Sequence, residues 1–496
     1  MKLWEHDTSG LIDAYRAGAA DPEAVVDTAL ARIARLDPAL NAFVALNPQA
    51  RAQARASAAR WRTGAPMGPL DGAPIAVKDN LAAAGMPACW GSAALPEAPL
   101  EADELPVARL RAAGAIILGK TNTPEFAIEG YTGNALFGDT GNPWNPALTP
   151  GGSSGGSVAA VASGMAPLAL GTDGGGSLRR PAAYGGLFSL KTGIGRHARA
   201  GGLPQVLLDM EVVGGLTRSA RDLALLDAVL TGPDRRDPRS RAQAPAAPLP
   251  ARPRILFVER FGDAPLDPAI AGRLRAAAAA LADDGCAVTA GAPPFDVGPL
   301  AAMWSEIGAI GLARLAQTLP GFARASAKYR AIAAEGARAP ATRLLAILEE
   351  IDRLRAAAGA AFAQWDLILT PACAGFKRHR NQPEQAWQQL GLQANILNPF
   401  IRHRPRRPAQ HTAFNPDIGR SDGVGQSPPA GIADRRANHR RRQPDTRRNQ
   451  QAARPADAGK GDGNCRDDRA ANAGNRAEHD ADRRGPQRRA TWLAHG

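Results

Sequence analysis

Two glycine–serine loops carry the residues whose types could do chemistry: Gly151–Gly156 (GGSSGG) and Gly174–Ser177 (GGGS). Glycine is placed where backbone N–H groups must come close to something or where φ must be positive. A serine beside several unobstructed N–H groups suits attack on a carbonyl and retention of the oxyanion that forms. The second loop follows the strand-like Leu168–Leu170. Taken alone it reads either as a nucleophile loop or as a glycine-rich turn.

A serine nucleophile needs a base. The commonest design uses histidine, yet only His6 and His197 precede residue 370, one in the first segment and one in a polar turn. Lysine is the alternative, and it serves only if burial destabilises its ammonium form. Lys78 closes the apolar run Ile75-Ala76-Val77, which reads as a short buried strand. At that position it is either a solvated strand-end charge or a desolvated lysine on the floor of a cleft.

The elements around these loops alternate between helices and short apolar strands. Asp21-Pro22 is an N-cap followed by proline at the first helical position, so 22–36 is expected to be helical. Further helices are expected at 49–62, 105–113, 216–230, 268–282, 300–319 and 342–364, with strands at 75–77, 115–118, 254–258, 287–289 and 366–370. The strand–helix–strand unit at 254–289 suits a parallel sheet, and the whole pattern argues for an α/β fold. The segment from Gly114 to Thr121 (GAIILGKT) spells a phosphate-binding P-loop, but its variable positions form an apolar strand preceded by a helix, the reverse of the context such a loop requires.

The order GGSSGGS, LGTDGGGSLRRPAA, GLFSLK, with PIAVKDN upstream and AAGAIILGKTNTPEF between, resembles the amidase signature family over roughly Leu11 to Phe400. The resemblance implies a single large domain with a central mixed β-sheet covered by helices on both faces. It implies a Ser–cisSer–Lys triad. Ser177 matches the nucleophile, Ser153 the bridging serine after a cis peptide bond, and Lys78 the base. The backbone N–H groups of Gly174, Gly175, Gly176 and Ser177 match the oxyanion hole, and Ser154, Asp173 and Arg179 match positions that support the loops. The implied reaction is hydrolysis of a carboxamide through an acyl-enzyme, without metal or organic cofactor. The glutaminase-type component of a tRNA-dependent amidotransferase, which shares the triad, is the alternative. Three positions depart from the family pattern: Gly174 stands for a larger residue, Arg180 for an aliphatic one, and Tyr184-Gly185 for aromatic-Cys.

Length and charge set the outer bounds. The 496 residues are ample for a buried core, and the net charge of +13 is uneven. Residues 401–496 hold 21 Lys and Arg against 11 Asp and Glu, and only six Leu, Ile, Val and Phe. That is too few for a packed domain. The domain is therefore expected to span 1–400, and 401–496 to be an Arg-rich segment that is disordered, RNA-binding or a frameshifted translation. The aromatic or RGG interleaving that RNA binding favours is nearly absent. Ile401–Phe414 (IRHRPRRPAQHTAF), back-translated with permitted codons and read one nucleotide later, gives FATGQGALPSIPL. That sequence resembles the C-terminal segment of family members, whose motifs are missing after Phe400. As written, the chain would then lack part of the sheet and pocket wall, so a damaged, inactive relative is a further reading. Cys89, Cys286, Cys373 and Cys465 show no CxxC spacing, which argues for free thiols and against zinc. The start MKLWEHDTSG lacks a signal-peptide pattern, and no apolar run reaches the roughly 18 residues of a membrane span. A cytoplasmic protein is expected, with a small amide as ligand, no membrane or nucleic-acid partner, and a homodimer as an option.

Overall fold

A computed structural model describes residues 2–242 and 248–375. The Arg-rich segment and the frameshift expectation at 401–496 lie outside the described residues. In chain order the elements are α1 (Thr8–Arg16), α2 (Pro22–Leu40), β1 (Phe43–Leu46), α3 (Ala50–Arg62), β2 (Pro74–Lys78), α4 (Leu105–Ala112), β3 (Ile116–Thr121), β4 (Gly133–Asn134), β5 (Gly138–Asp139), α5 (Gly155–Ala162), β6 (Leu168–Asp173), α6 (Arg179–Gly185), β7 (Phe188–Ser189), β8 (Val212–Thr217), α7 (Ala220–Leu230), β9 (Arg254–Phe257), α8 (Pro268–Asp283), β10 (Ala287–Ala290), α9 (Gly298–Thr318), α10 (Ala327–Gly336), α11 (Ala341–Gln364) and β11 (Leu367–Leu369). The chain thus forms the mixed α/β fold expected from its sequence.

The central sheet has the order β1-β3-β2-β6-β8-β7. β2 runs parallel to both β3 and β6, whereas β8 is antiparallel to β6. Strand side chains alternate between faces, and here both faces are covered. Ile75, Val77, Ile117, Leu168 and Leu170 enter one core with Leu110 of α4 and Leu226 of α7. Ala76, Ile116, Leu118, Ala169 and Leu216 enter the other, with Val26 and Ile33 of α2, Ala54 of α3 and Val158 of α5. Burial on both faces explains why these strands read as continuous apolar runs. A second, parallel sheet of order β10-β9-β11 packs Leu256 and Ile368 against Ile307 of α9 and Ile351 of α11. The unit expected at 254–289 is therefore present, in a sheet of its own.

The Asp21 carboxylate accepts from Glu23 N at 2.7 Å, capping α2 as expected. The helix expected at 216–230 is corrected: Leu216 lies in β8, and α7 begins at Ala220 behind the Ser219 cap. Val212–Thr217 is buried along its whole length, and pairing of Leu216 and Thr217 with β6 holds them in the strand. The P-loop look-alike is β3, a fully buried strand whose Lys120 donates to the Pro87 carbonyl at 3.0 Å. Gly119 has a structural reason, since a Cβ there would meet Ala45 O at 2.3 Å.

Candidate active site

Parallel pairing of β2 and β6 sets their C-terminal ends side by side, the usual position for a ligand site in such sheets. β2 ends at Lys78, and β6 runs directly into the loop that carries Ser177. The other glycine–serine loop leads into α5, and Ser177 lies just before Leu178, the N-cap of α6. Glycines let these backbones approach: a Cβ on Gly152 would come 2.1 Å from Tyr131 O, and one on Gly156 would come 2.4 Å from Asn122 N.

Lys78 is fully buried, and its Nζ donates to Ser153 Oγ at 2.7 Å and to Thr172 Oγ1 at 2.9 Å. The peptide bond between Gly152 and Ser153 is cis. Burial pushes the Lys78 ammonium down to about 7, although the negative charges of Glu211 and Asp173 partly oppose this. Ser153 is 1% exposed and Ser177 7%. The Ser177 hydroxyl forms no hydrogen bond with another described residue, whereas Lys78 and Ser153 are joined. Ser154 ties the two loops together: its N–H donates to Ser177 O at 3.2 Å and its hydroxyl to Thr172 O at 3.2 Å.

Asp173 organises the second loop. Its carboxylate accepts from Gly176 N at 2.7 Å, Leu178 N at 3.1 Å and Arg179 Nε at 2.9 Å. Burial opposes its ionisation, but Arg179 and Lys191 override that and hold the carboxyl well below the usual carboxylate range. The oxyanion-hole expectation is corrected here. The Gly176 N–H is committed to Asp173 and is not free to meet an oxyanion. The N–H groups of Gly174, Gly175 and Ser177 have no acceptor among the described residues.

The departures from the family pattern have local explanations. A Cβ on Gly174 would come 2.6 Å from Leu207 Cδ1, so Leu207 fills the space that a larger residue would need. A Cβ on Gly185 would meet Val158 Cγ1 at 2.4 Å. Arg180 donates from Nη2 to Gly152 O at 3.0 Å, giving a polar tie to the first loop that an aliphatic residue could not make.

Several contributors are not apparent from the sequence reading. Asn80 donates to Thr172 Oγ1 at 3.0 Å and to Glu211 Oε1 at 3.3 Å, and Arg199 donates to Glu211 Oε1 at 2.7 Å. Arg199 also pairs with buried Glu104. Asn80 sits two residues after Lys78 in PIAVKDN and was within reach of the motif. Glu211 and Arg199 carry no local signal, because they meet only through the fold. No group of His, Cys, Asp and Glu among the described residues is arranged to hold a metal ion.

The chain belongs to the amidase family: the family model described as Amidase matches residues 24–401. Its relatives include the A component of the glutamyl-tRNA(Gln) amidotransferase from Symbiobacterium thermophilum, 39% identical over 282 residues, which are 55% of this chain and 58% of the relative. The chain spans about half the length of the curated relatives it matches. Among solved structures, a bacterial aryl acylamidase of the amidase signature enzymes aligns with a TM-score of 0.72 at 27% identity, over 80% of this chain and 87% of the other. A 6-aminohexanoate cyclic dimer hydrolase complexed with substrate aligns at 0.71 and 26%, over 80% and 88%. No helix among the described residues is long and apolar enough to cross a membrane.

Proposed function

We propose that this protein hydrolyses a carboxamide C–N bond, with Ser177 as nucleophile, Ser153 as relay and Lys78 as base. The buried 2.7 Å contact between Lys78 and Ser153, on a loop tied to that of Ser177 through Ser154, carries this reading. With Lys78 neutral, its lone pair accepts the Ser153 proton while Ser153 takes the proton of Ser177. Ser177 Oγ attacks the amide carbon, and the N–H groups of Gly174, Gly175 and Ser177 hold the oxyanion. The proton returns through Ser153 to the leaving nitrogen, the C–N bond breaks, and water then releases the acid from Ser177. Each oxyanion donor contributes about 100-fold or more in rate.

The names of the sequence relatives favour a second reading, the glutaminase-type component of a tRNA-dependent amidotransferase. A panel of simple amides, aryl amides and glutamine separates the two. Turnover of simple or aryl amides by the isolated chain is expected. Ammonia release confined to glutamine and dependent on the other amidotransferase components would transfer the assignment to the second reading.

We also propose that the domain ends near residue 400 and that the following segment is a frameshifted translation. The family match ends at Ile401, where the composition changes. DNA sequencing across codons 395–415 is expected to reveal a continuous alternate frame resembling the family. A single frame encoding only the written segment, with no such continuation one nucleotide later, would contradict the proposal. If the written chain is the true product, a damaged, inactive relative becomes the fitting description.

A further inference from the structure

Lys191 is a second buried lysine beside the site, and the mechanism above gives it no task. Its side chain is fully shielded from solvent. Nζ donates to the carbonyl of Asp173, to Gly174 O at 3.3 Å and to Met210 O at 2.6 Å, and lies 3.4 Å from Asp173 Oδ1. An ammonium has three protons, and three carbonyls take them. It is therefore placed as an anchor, and Ser153 is bonded by Lys78 instead.

The anchoring has a directional consequence. In a trans peptide the C=O and the following N–H point in opposite directions, and the only cis bond among the described residues is at Gly152–Ser153. Drawing the Asp173 and Gly174 carbonyls onto one ammonium turns the N–H groups of Gly174 and Gly175 together toward the opposite side. Both are glycines, so neither carries a side chain of its own; Leu207 and Trp304 pack where their Cβ atoms would stand. A charge on the carbonyl side also polarises each amide and strengthens its N–H as a donor. Met210 lies just before β8 and Asp173 ends β6, so the same ammonium fixes the loop to the sheet.

We propose that Lys191 is the positioning residue of the oxyanion loop, aiming the Gly174 and Gly175 N–H groups at the developing negative charge. The inference rests on the Ser177 reading. Because it concerns the transition state, it predicts a change in kcat with little change in KM. The Lys191→Arg and Lys191→Gln variants cannot bring three donors to the same point. In each, kcat is expected to fall roughly 100-fold, the scale of one lost oxyanion donor. Affinity for a boronic acid that forms a tetrahedral adduct on Ser177 is expected to fall by a similar factor, while affinity for the carboxylate product stays within about twofold. A merely structural role would lower the melting temperature and weaken both ligands alike, and that result would overturn the inference.

Should neither variant fold, the wild-type boronic acid adduct gives the answer. Its crystal structure is expected to place one adduct oxygen within hydrogen-bond distance of Gly174 N and Gly175 N, on the side away from Lys191. An oxygen held by other donors would overturn the proposal. A Ser177→Ala control keeps the two claims apart. If it is inactive while the Lys191 variants keep wild-type kcat, only the inference fails. If it remains active, the Ser177 reading itself fails.

Discussion

Replacing Ser177 by alanine is expected to lower the turnover of any carboxamide the protein accepts by roughly 1,000-fold or more, with the fold intact. Loss of a covalent nucleophile removes the acyl-enzyme route entirely, leaving only binding and oxyanion stabilisation. The size of the effect follows from the absence of a substitute. Ser153 is 1% exposed and engaged with Lys78, and Ser154 Oγ donates to Thr172 O. Neither hydroxyl can take the place of Ser177. The alanine variant should unfold at nearly the wild-type temperature, since the Ser177 hydroxyl forms no hydrogen bond with another described residue. Thermal unfolding measured beside the rate separates lost chemistry from lost structure.

Lys78 has the second large expected effect, and it is readable in pH. Burial dominates its environment and lowers its pKa to about 7, with Glu211 and Asp173 pulling upward and Arg199 pushing downward. Only neutral Lys78 can accept a proton. The rate should therefore rise with pH through a midpoint near 7 and fall about tenfold per unit below it. Lys78→Arg keeps a cation that does not deprotonate in proteins, so its activity should be lost at every pH, by roughly 1,000-fold, without a rising limb near 7. A retained limb in that variant would assign the titration to another group. The network around Lys78 also makes Glu211 informative: removing its charge should lower the midpoint, because Glu211 favours the ammonium form.

Much of this was legible in the residue order. Glycine loops and strand-end residues leave local marks, because they answer to backbone geometry and to the C-terminal ends of parallel strands. Lys78 and Ser153, far apart in sequence, meet at 2.7 Å, and the GKT segment resolves to a buried strand because its apolar residues feed both cores. Other features were not legible. The helix expected from Leu216 started too early, because Leu216 and Thr217 belong to β8, and only pairing with β6 shows this. Glu104, Arg199 and Glu211 meet across long stretches of chain, so no local window reveals their network. The Gly176 N–H looked available by sequence because nothing there shows that the Asp173 carboxylate three residues earlier turns back to accept it.

The proposed hydrolysis passes its acyl group through Ser177. Incubating the full chain with an activated ester or aryl amide, quenching in acid and mapping peptides by mass spectrometry tests it directly. The acyl mass is expected on the peptide containing Ser177, absent from Ser177→Ala and chased away by time in water. Steady turnover with the acyl group on another residue, or with turnover undiminished in Ser177→Ala, would contradict it.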